Sequence, residues 1–350
     1  MAGQQDRLRE LLGTELPIVQ APMAGVQSSA LAVAVSNAGG LGSLPCAMLT
    51  ADGIREELTR LTAQTSRPYN VNFFCHTPPA PDAEREATWR RILAPYYHEF
   101  GIDVTSVPAG PGRAPFDGDA AEILSHFKPP VVSFHFGLPS RDLLGRVRTW
   151  RPVIMSSATT VDEAVWLEAH GVDVIIAQGA EAGGHRGMFL TDQVTTQIGT
   201  LALLPQIVRA VRVPVLAAGG IADATGVTAS LSLGAAGVQV GTSYLLCPEA
   251  TTSPVHRAAL RSSAANHTAL TNVFTGRPAR GIVNRIVAEV GPMNRAAPAF
   301  PLATSAIMPL RAKAESGGSG DFSPLWAGQN VSGCQERPAA DITKELASRL

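Results

Sequence analysis

The chain has 350 residues, a formal net charge of −1, and 16% charged against 45% hydrophobic residues. A balance so near neutrality disfavours nucleic acid and anionic membrane surfaces as partners, and no apolar run of about 18 residues offers a membrane span. The length accommodates one α/β barrel of roughly 250 residues with insertions, and the low charge suits strands covered on both faces.

Residues 1–12 read as a polar helix without the apolar core of a secretory leader. Cys46, Cys75, Cys247 and Cys334 are scattered and form no CxxC pair. No metal site is therefore expected, the thiols are expected to be reduced, and the expected location is the cytoplasm. Strand and helix patterns then alternate, which argues for parallel strands joined by crossover helices. Residues 17–22 read as a strand, 28–38 as a helix capped by Ser28, and 41–44 as a strand. A helix capped by Thr50 or Asp52 runs to about 64, and 69–74 is the third strand. The rhythm breaks over about 77–128. There, 77–81 is proline-rich, 83–100 looks helical, 101–107 is a candidate short strand, 108–119 a loop and 120–127 a helix. This stretch is either an extra βα unit or a capping insertion. Strands at 131–136, 153–157, 174–178, 215–218 and 237–240 follow, with helices at 141–150, 161–170, 201–211 and 224–233.

Counting 101–107 within the insertion leaves eight strands. The prediction is a TIM (β/α)8 barrel over 1–250, with a C-terminal helical extension, 251–350, packed on or over the barrel mouth. An open doubly wound sheet is the alternative. Residues 316–320 read as a mobile glycine-rich loop.

The most informative stretch is Ala180-Glu181-Ala182-Gly183-Gly184-His185-Arg186-Gly187, just past the strand at 174–178. Barrels keep their chemistry at this end of the strands. Glycines let the backbone approach a flat ligand, and an imidazole exchanges a proton near neutrality. Ala217-Ala218-Gly219-Gly220-Ile221 and Gln239-Val240-Gly241-Thr242-Ser243 end strands seven and eight, where barrels often bind phosphate through backbone N–H groups. Ordinary βα turns are the plain alternative. Pro22-Met23-Ala24-Gly25, Asn72 and Gln178 complete a polar ring suited to a planar, phosphate-bearing cofactor. FMN fits such a ring, whereas no GxGxxG follows the first strand. Of the other histidines, His135 reads as a packed side chain or one facing the mouth, and His76 as a rim residue. Arg277 and Arg280 either bind an anion or are solvated surface charges.

Taken together, these stretches resemble the nitronate monooxygenases, FMN-dependent barrels formerly called 2-nitropropane dioxygenases. The matching segments are 17–25, 36–42, 69–74, 178–187, 217–221, 239–243, 275–281 and 325–329. The resemblance implies flavin contacts from Ala21, Pro22, Met23, Asn72 and Gln178, with Gly183 and Gly184 bordering the ring. It implies phosphate contacts from Gly219, Gly220, Gln239, Gly241 and Thr242, and an approach to the flavin by Gln329. His185 would be catalytic, as a base toward neutral nitroalkanes or as a cation holding the nitronate. The implied reaction is oxidation of alkyl nitronates, such as propionate 3-nitronate or nitroalkane anions, by dioxygen to a carbonyl compound and nitrite, in a monomer or homodimer. Substrate-side residues in some members are tyrosines. Here Tyr96 and Tyr97 lie in the insertion, and no tyrosine follows Tyr244. Residues 181–185 also resemble the FMN-dependent enoyl-thioester reductases, an alternative against which 326–329 leans. A non-catalytic flavin- or phosphate-binding barrel is a third reading.

Overall fold

The computed structural model describes residues 2–103 and 113–350. In chain order the strands are β1 (Ile18–Gln20), β2 (Gly42–Pro45), β3 (Tyr69–Phe74), β4 (Val131–His135), β5 (Val153–Ala158), β6 (Val174–Gln178), β7 (Gly184–His185), β8 (Val215–Ala218), β9 (Gly237–Val240), β10 (Thr268–Thr271) and β11 (Ala279–Ile282). The helices up to β9 are α1 (Ala2–Leu12), α2 (Ser29–Asn37), α3 (Ala51–Gln64), α4 (Ala83–Glu99), α5 (Gly118–Phe127), α6 (Arg141–Arg148), α7 (Val161–Ala169), α8 (Thr200–Ala210) and α9 (Ala224–Ser232). Eight strands pair in parallel in the order β1-β9-β8-β6-β5-β4-β3-β2. A parallel bridge from Val19 to Leu41 joins β1 to the start of β2 and closes the ring. The fold is thus a TIM barrel, not an open sheet.

Alternation along each strand builds two cores. Val19, Val131, Met155, Val174, Ile176 and Leu216 pack together with Leu8 and Leu12 of α1, which plugs one end of the barrel. Their neighbours Ile18, Val132, Ile154, Ile175 and Val215 pack with helix residues such as Leu31, Ile54 and Leu203. Gln20, Ser43, Asn70 and Ser133 are also buried, and they bond to one another. The Asn70 amide donates to the hydroxyls of Ser43 (3.0 Å) and Ser133 (2.9 Å), and the Ser43 N–H donates to Gln20. Helix starts are fixed by side-chain caps at Ser28, Asp82, Asp117, Ser140, Thr160 and Asp223. Each such cap stabilises by about 1 kcal/mol. At α3 the cap is Thr50, which accepts from the Gly53 N–H, and Asp52 lies in the first turn.

Residues 77–103 and 113–128 contribute no strand to the barrel. The candidate strand at 101–107 falls outside the described residues from 104 onward, as does 108–112 of the predicted loop. Helix α5 is the crossover from β3 to β4 and packs on α3 and α6. Helix α4 leaves the barrel. Its Trp89, Leu93 and Tyr97 join Phe274, Ile286, Leu310 and Phe322 of the C-terminal region in a second core.

That C-terminal region is not only helical. Besides α10 (Pro254–Arg261), α11 (Arg285–Val290), α12 (Ala303–Ser316) and α13 (Ala339–Leu346), it supplies β10 and β11. These form an antiparallel three-stranded sheet with β7, pairing Ala279 with His185 and Arg280 with Gly184. Helix α13 packs on α2 and α9, at the barrel's side rather than over its mouth. The stretch 316–320 is a hydrogen-bonded end to α12: the N–H groups of Gly317 and Ser319 donate to Ala314, and Asn284 donates to the Gly320 carbonyl. Among the described residues no helix is long and apolar enough to cross a membrane.

Candidate active site

The carboxyl ends of the barrel strands surround one cavity of about 1300 Å³, its open mouth included. Ala21, Pro22, Met23, Asn72, Gln178, Gly183, Gly184, His185, Gly219, Gly220, Gln239, Gly241 and Thr242 all line it. Gln329 does not. Its side chain is exposed, and its backbone N–H donates to the Glu181 carbonyl (2.9 Å). The neighbouring Gly328 and Asn330 line the cavity instead.

One side of this cavity is made of backbone. Gly219 and Gly220 have φ of +116° and +75°, which disfavour any side chain. A Cβ on Gly219 would lie 2.9 Å from the Thr200 hydroxyl and 3.0 Å from the Ala182 nitrogen. Among the described residues, the N–H groups of Gly219, Gly220 and Gly241 meet no hydrogen-bond acceptor. The Gln239 side-chain oxygen beside them is buried without a partner. Free N–H donors on glycine turns at two adjacent strand ends are the chemistry of an anion seat. A phosphate-bearing cofactor fits it, and the orphaned Gln239 amide fits a polar chain leading from the phosphate.

The opposite side is made of side chains. The Gln178 amide holds the loop that follows it: its oxygen accepts from the Gly187 N–H (2.7 Å), and its nitrogen donates to the His185 carbonyl (3.0 Å). His135 spans from the Ser157 hydroxyl to that same carbonyl, 3.1 Å each. It is therefore packed and hydrogen-bonded, and it also lines the cavity. Asn72 donates to Ser133 (2.9 Å to the hydroxyl), leaving its side-chain oxygen without a partner among the described residues. Beneath the loop, the fully buried Arg186 donates to the carbonyls of Gln178 and Gly179 and to the Gln197 side chain. The buried Glu163 carboxylate accepts from Thr159, Phe189 and Leu190.

His185 is 9% exposed. Its Nε2 lies 2.9 Å from the Thr275 hydroxyl, and among the described residues its Nδ1 meets no hydrogen-bond partner. Phe300 and Trp326 flank it at 5.3 and 5.5 Å between ring centres. Burial first, then the positive Arg113 and, further down, Arg277, hold its pKa well below the usual histidine range. His185 is thus neutral at neutral pH.

The surroundings differ from expectation in four places. His76 is no plain rim residue: it is buried, bonds the Arg113 carbonyl at 3.0 Å, and meets Phe300 edge-on. Arg280 is buried and Arg277 half-buried. Arg280 donates to the carbonyls of Ala180 and Thr268, tying β11 to the histidine loop, and Arg277 lies over the Phe136 ring at 3.9 Å. Phe136 itself sits at φ +71°, a strained value for an aromatic residue. Tyr96 and Tyr97 do not reach the cavity; they bond Glu289 and the Ala306 carbonyl in the second core. Finally, Arg113, His256, Trp326 and Thr275 escaped the sequence reading as site residues. Arg113 lines the cavity with a buried Nη1 that has no partner among the described residues, and so does His256 through its Nε2. Nothing in sequence spacing marks them, because three of the four arrive from the C-terminal region.

Comparisons agree with this architecture. A nitronate monooxygenase family model matches residues 5–348. A nitronate monooxygenase of Pseudomonas aeruginosa is 40% identical over 99% of both chains. One of Paraburkholderia phytofirmans is 40% identical over 98% of this chain and 94% of the relative. Among solved structures, the nitroalkane oxidase of Streptomyces ansochromogenes superposes with a TM-score of 0.89 at 39% identity, covering 97% of this chain and 96% of that one. FabK of Thermotoga maritima superposes less well, with a TM-score of 0.73 at 26% identity over 98% and 94%. The chain therefore belongs to the nitronate monooxygenase family.

Proposed function

We propose that the protein oxidises alkyl nitronates with dioxygen, giving a carbonyl compound and nitrite, and that its cofactor is FMN. The observation that carries this reading is a neutral imidazole, His185, facing the same cavity as a seat of unpaired glycine N–H groups. A bound flavin supplies the electron acceptor and the group that reacts with dioxygen. Gly219, Gly220, Gly241 and Thr242 hold the phosphate, Gln239 the chain beyond it, and Ala21, Pro22, Met23, Asn72, Gly183 and Gly184 the ring system. Gln178 acts through the His185 loop that it fixes.

On the substrate side, the positive field that keeps His185 neutral also favours an anion. Arg113, with its unpartnered Nη1, donates to the nitronate. Phe74 and Trp326 supply an apolar wall that excludes water and suits a small alkyl group. For a neutral nitroalkane, His185 first removes the α-proton. The superposition on a nitroalkane oxidase, with a TM-score of 0.89 at 39% identity, supports this reading. We further propose that the enzyme works in the cytoplasm, which four free cysteines support. The test is spectroscopic. Purified protein should be yellow, with about one FMN per chain (by the single anion seat). Anaerobic addition of a nitronate should bleach it, whereas NADH or NADPH should do so poorly. Fast bleaching by NADPH with no response to nitronate would move the assignment to the reductase.

A further inference from the structure

We propose that Thr275 is a positioning residue that fixes the tautomer of His185, holding the proton on Nε2 and leaving Nδ1 as the base. The inference rests on the reading of His185 as a proton acceptor. Thr275 is 2% exposed and lies between two partners: the His185 Nε2 at 2.9 Å and the backbone carbonyl of Arg277 at 3.4 Å. A carbonyl can only accept, so the one hydroxyl proton of Thr275 goes to Arg277. With that proton on Arg277, the hydroxyl meets His185 with a lone pair and Nε2 is the donor. A neutral imidazole carries one N–H, so Nδ1 is unprotonated. Among the described residues no group bonds Nδ1, and His185 lines the cavity.

The rest of the assembly keeps this alignment. The backbone carbonyl of His185 is held by Gln178 and His135, and β7 is paired to β11 at Ala279. Thr275 is placed by the turn after it. Gly276 has φ +88°, and a Cβ there would lie 2.0 Å from the Pro298 carbonyl oxygen. Carbonyl and ring are thus gripped from separate segments, and only Nδ1 remains free to react. In the step that follows, the Cα–H bond of a neutral nitroalkane breaks and an N–H bond forms at Nδ1. The electron pair moves into the nitro group, giving a nitronate beside an imidazolium.

Two measurements on the flavin-loaded enzyme test this. The first is the ¹⁵N spectrum of histidine-labelled protein, with the His185 signals assigned by their loss in His185→Asn. The expected state is neutral with the proton on Nε2; a proton on Nδ1 would overturn the proposal. The second compares Thr275→Val with Thr275→Ser. Valine keeps the shape and loses the acceptor, so kcat for a neutral nitroalkane should fall about tenfold, the weight of one hydrogen bond. Turnover of a pre-formed nitronate, which needs no proton removal, should fall much less, and serine should restore most of the loss. Equal losses on both substrates, or no recovery with serine, would overturn it. If the valine variant does not fold, the serine variant and the parent spectrum still decide. A parent that turns over no nitronate would count against the functional reading, whereas the spectrum speaks to Thr275 alone.

Discussion

The two rims of the cavity are built from different materials. The β8–β9 rim is backbone: glycine turns with unpaired N–H groups among the described residues, those of Gly219 and Gly220 set by conformations that only glycine adopts easily. The β4–β7 rim is side chain: His135, Gln178 and His185, capped by Thr275, Phe300 and Trp326 from beyond the barrel. On the proposed function the first would hold a group that is the same in every turnover, and fixed dipoles suffice for that. The second would have to discriminate a substrate and move a proton, which takes a titratable group in a controlled environment. The rims should therefore fail differently when damaged.

The sharpest way to break this contrast is Gly220→Asp. A carboxylate would enter the anion seat at a φ that opposes any Cβ. The protein should fold yet purify essentially without flavin, read by absorbance and phosphate analysis. Retention of full flavin would remove the backbone rim from the account. On the other rim, His185→Asn should keep its flavin. Turnover of neutral nitroalkanes should drop by about 10²–10⁴ while pre-formed nitronates are still oxidised, with both assayed on one flavin-replete preparation. If neither substrate is affected, His185 is structural. If both fall together, it holds the anion instead.

Arg113→Met should have a smaller effect, raising KM for nitronates by roughly tenfold, as expected for one charge-assisted hydrogen bond. An unchanged KM would show that Arg113 does not meet the substrate. The smallest expected effect is a slope of stability with pH. Burial lowers the pKa of His76 and His256 to about 4 and of His135 to about 3. These rings are neutral when folded, while the unfolded chain protonates them below about 6.5. Their contribution is thus intact above that pH and is lost as pH falls toward the folded values. Thermal melts from about pH 7.5 downward should show Tm declining, less steeply in His135→Gln. A Tm flat to about pH 4.5 would contradict neutral burial.

Much of the molecule is local and so legible in the chain itself. The barrel follows from eight apolar segments of strand length, because residues buried on both faces leave continuous runs; β3, β6, β8 and β9 begin and end where the pattern says. The backbone rim was equally legible, since a left-handed turn selects glycine at the position that needs it. What only tertiary structure decided is the side-chain rim. Thr275 lies ninety residues from His185 in sequence, and Phe300 and Trp326 lie farther still. They meet because β11 pairs with β7 and because the segment carrying Trp326 bridges to Gly281 on β11. Gly183 illustrates the same point. Its lack of a side chain lets the backbone at Ala327 and Gly328 pass within 2.6 Å of where a Cβ would stand, a contact that no local pattern encodes. His76, read as a rim residue, was misplaced for this reason: composition gives a residue's chemistry, but its solvent and partners come from which distant segments pack on it.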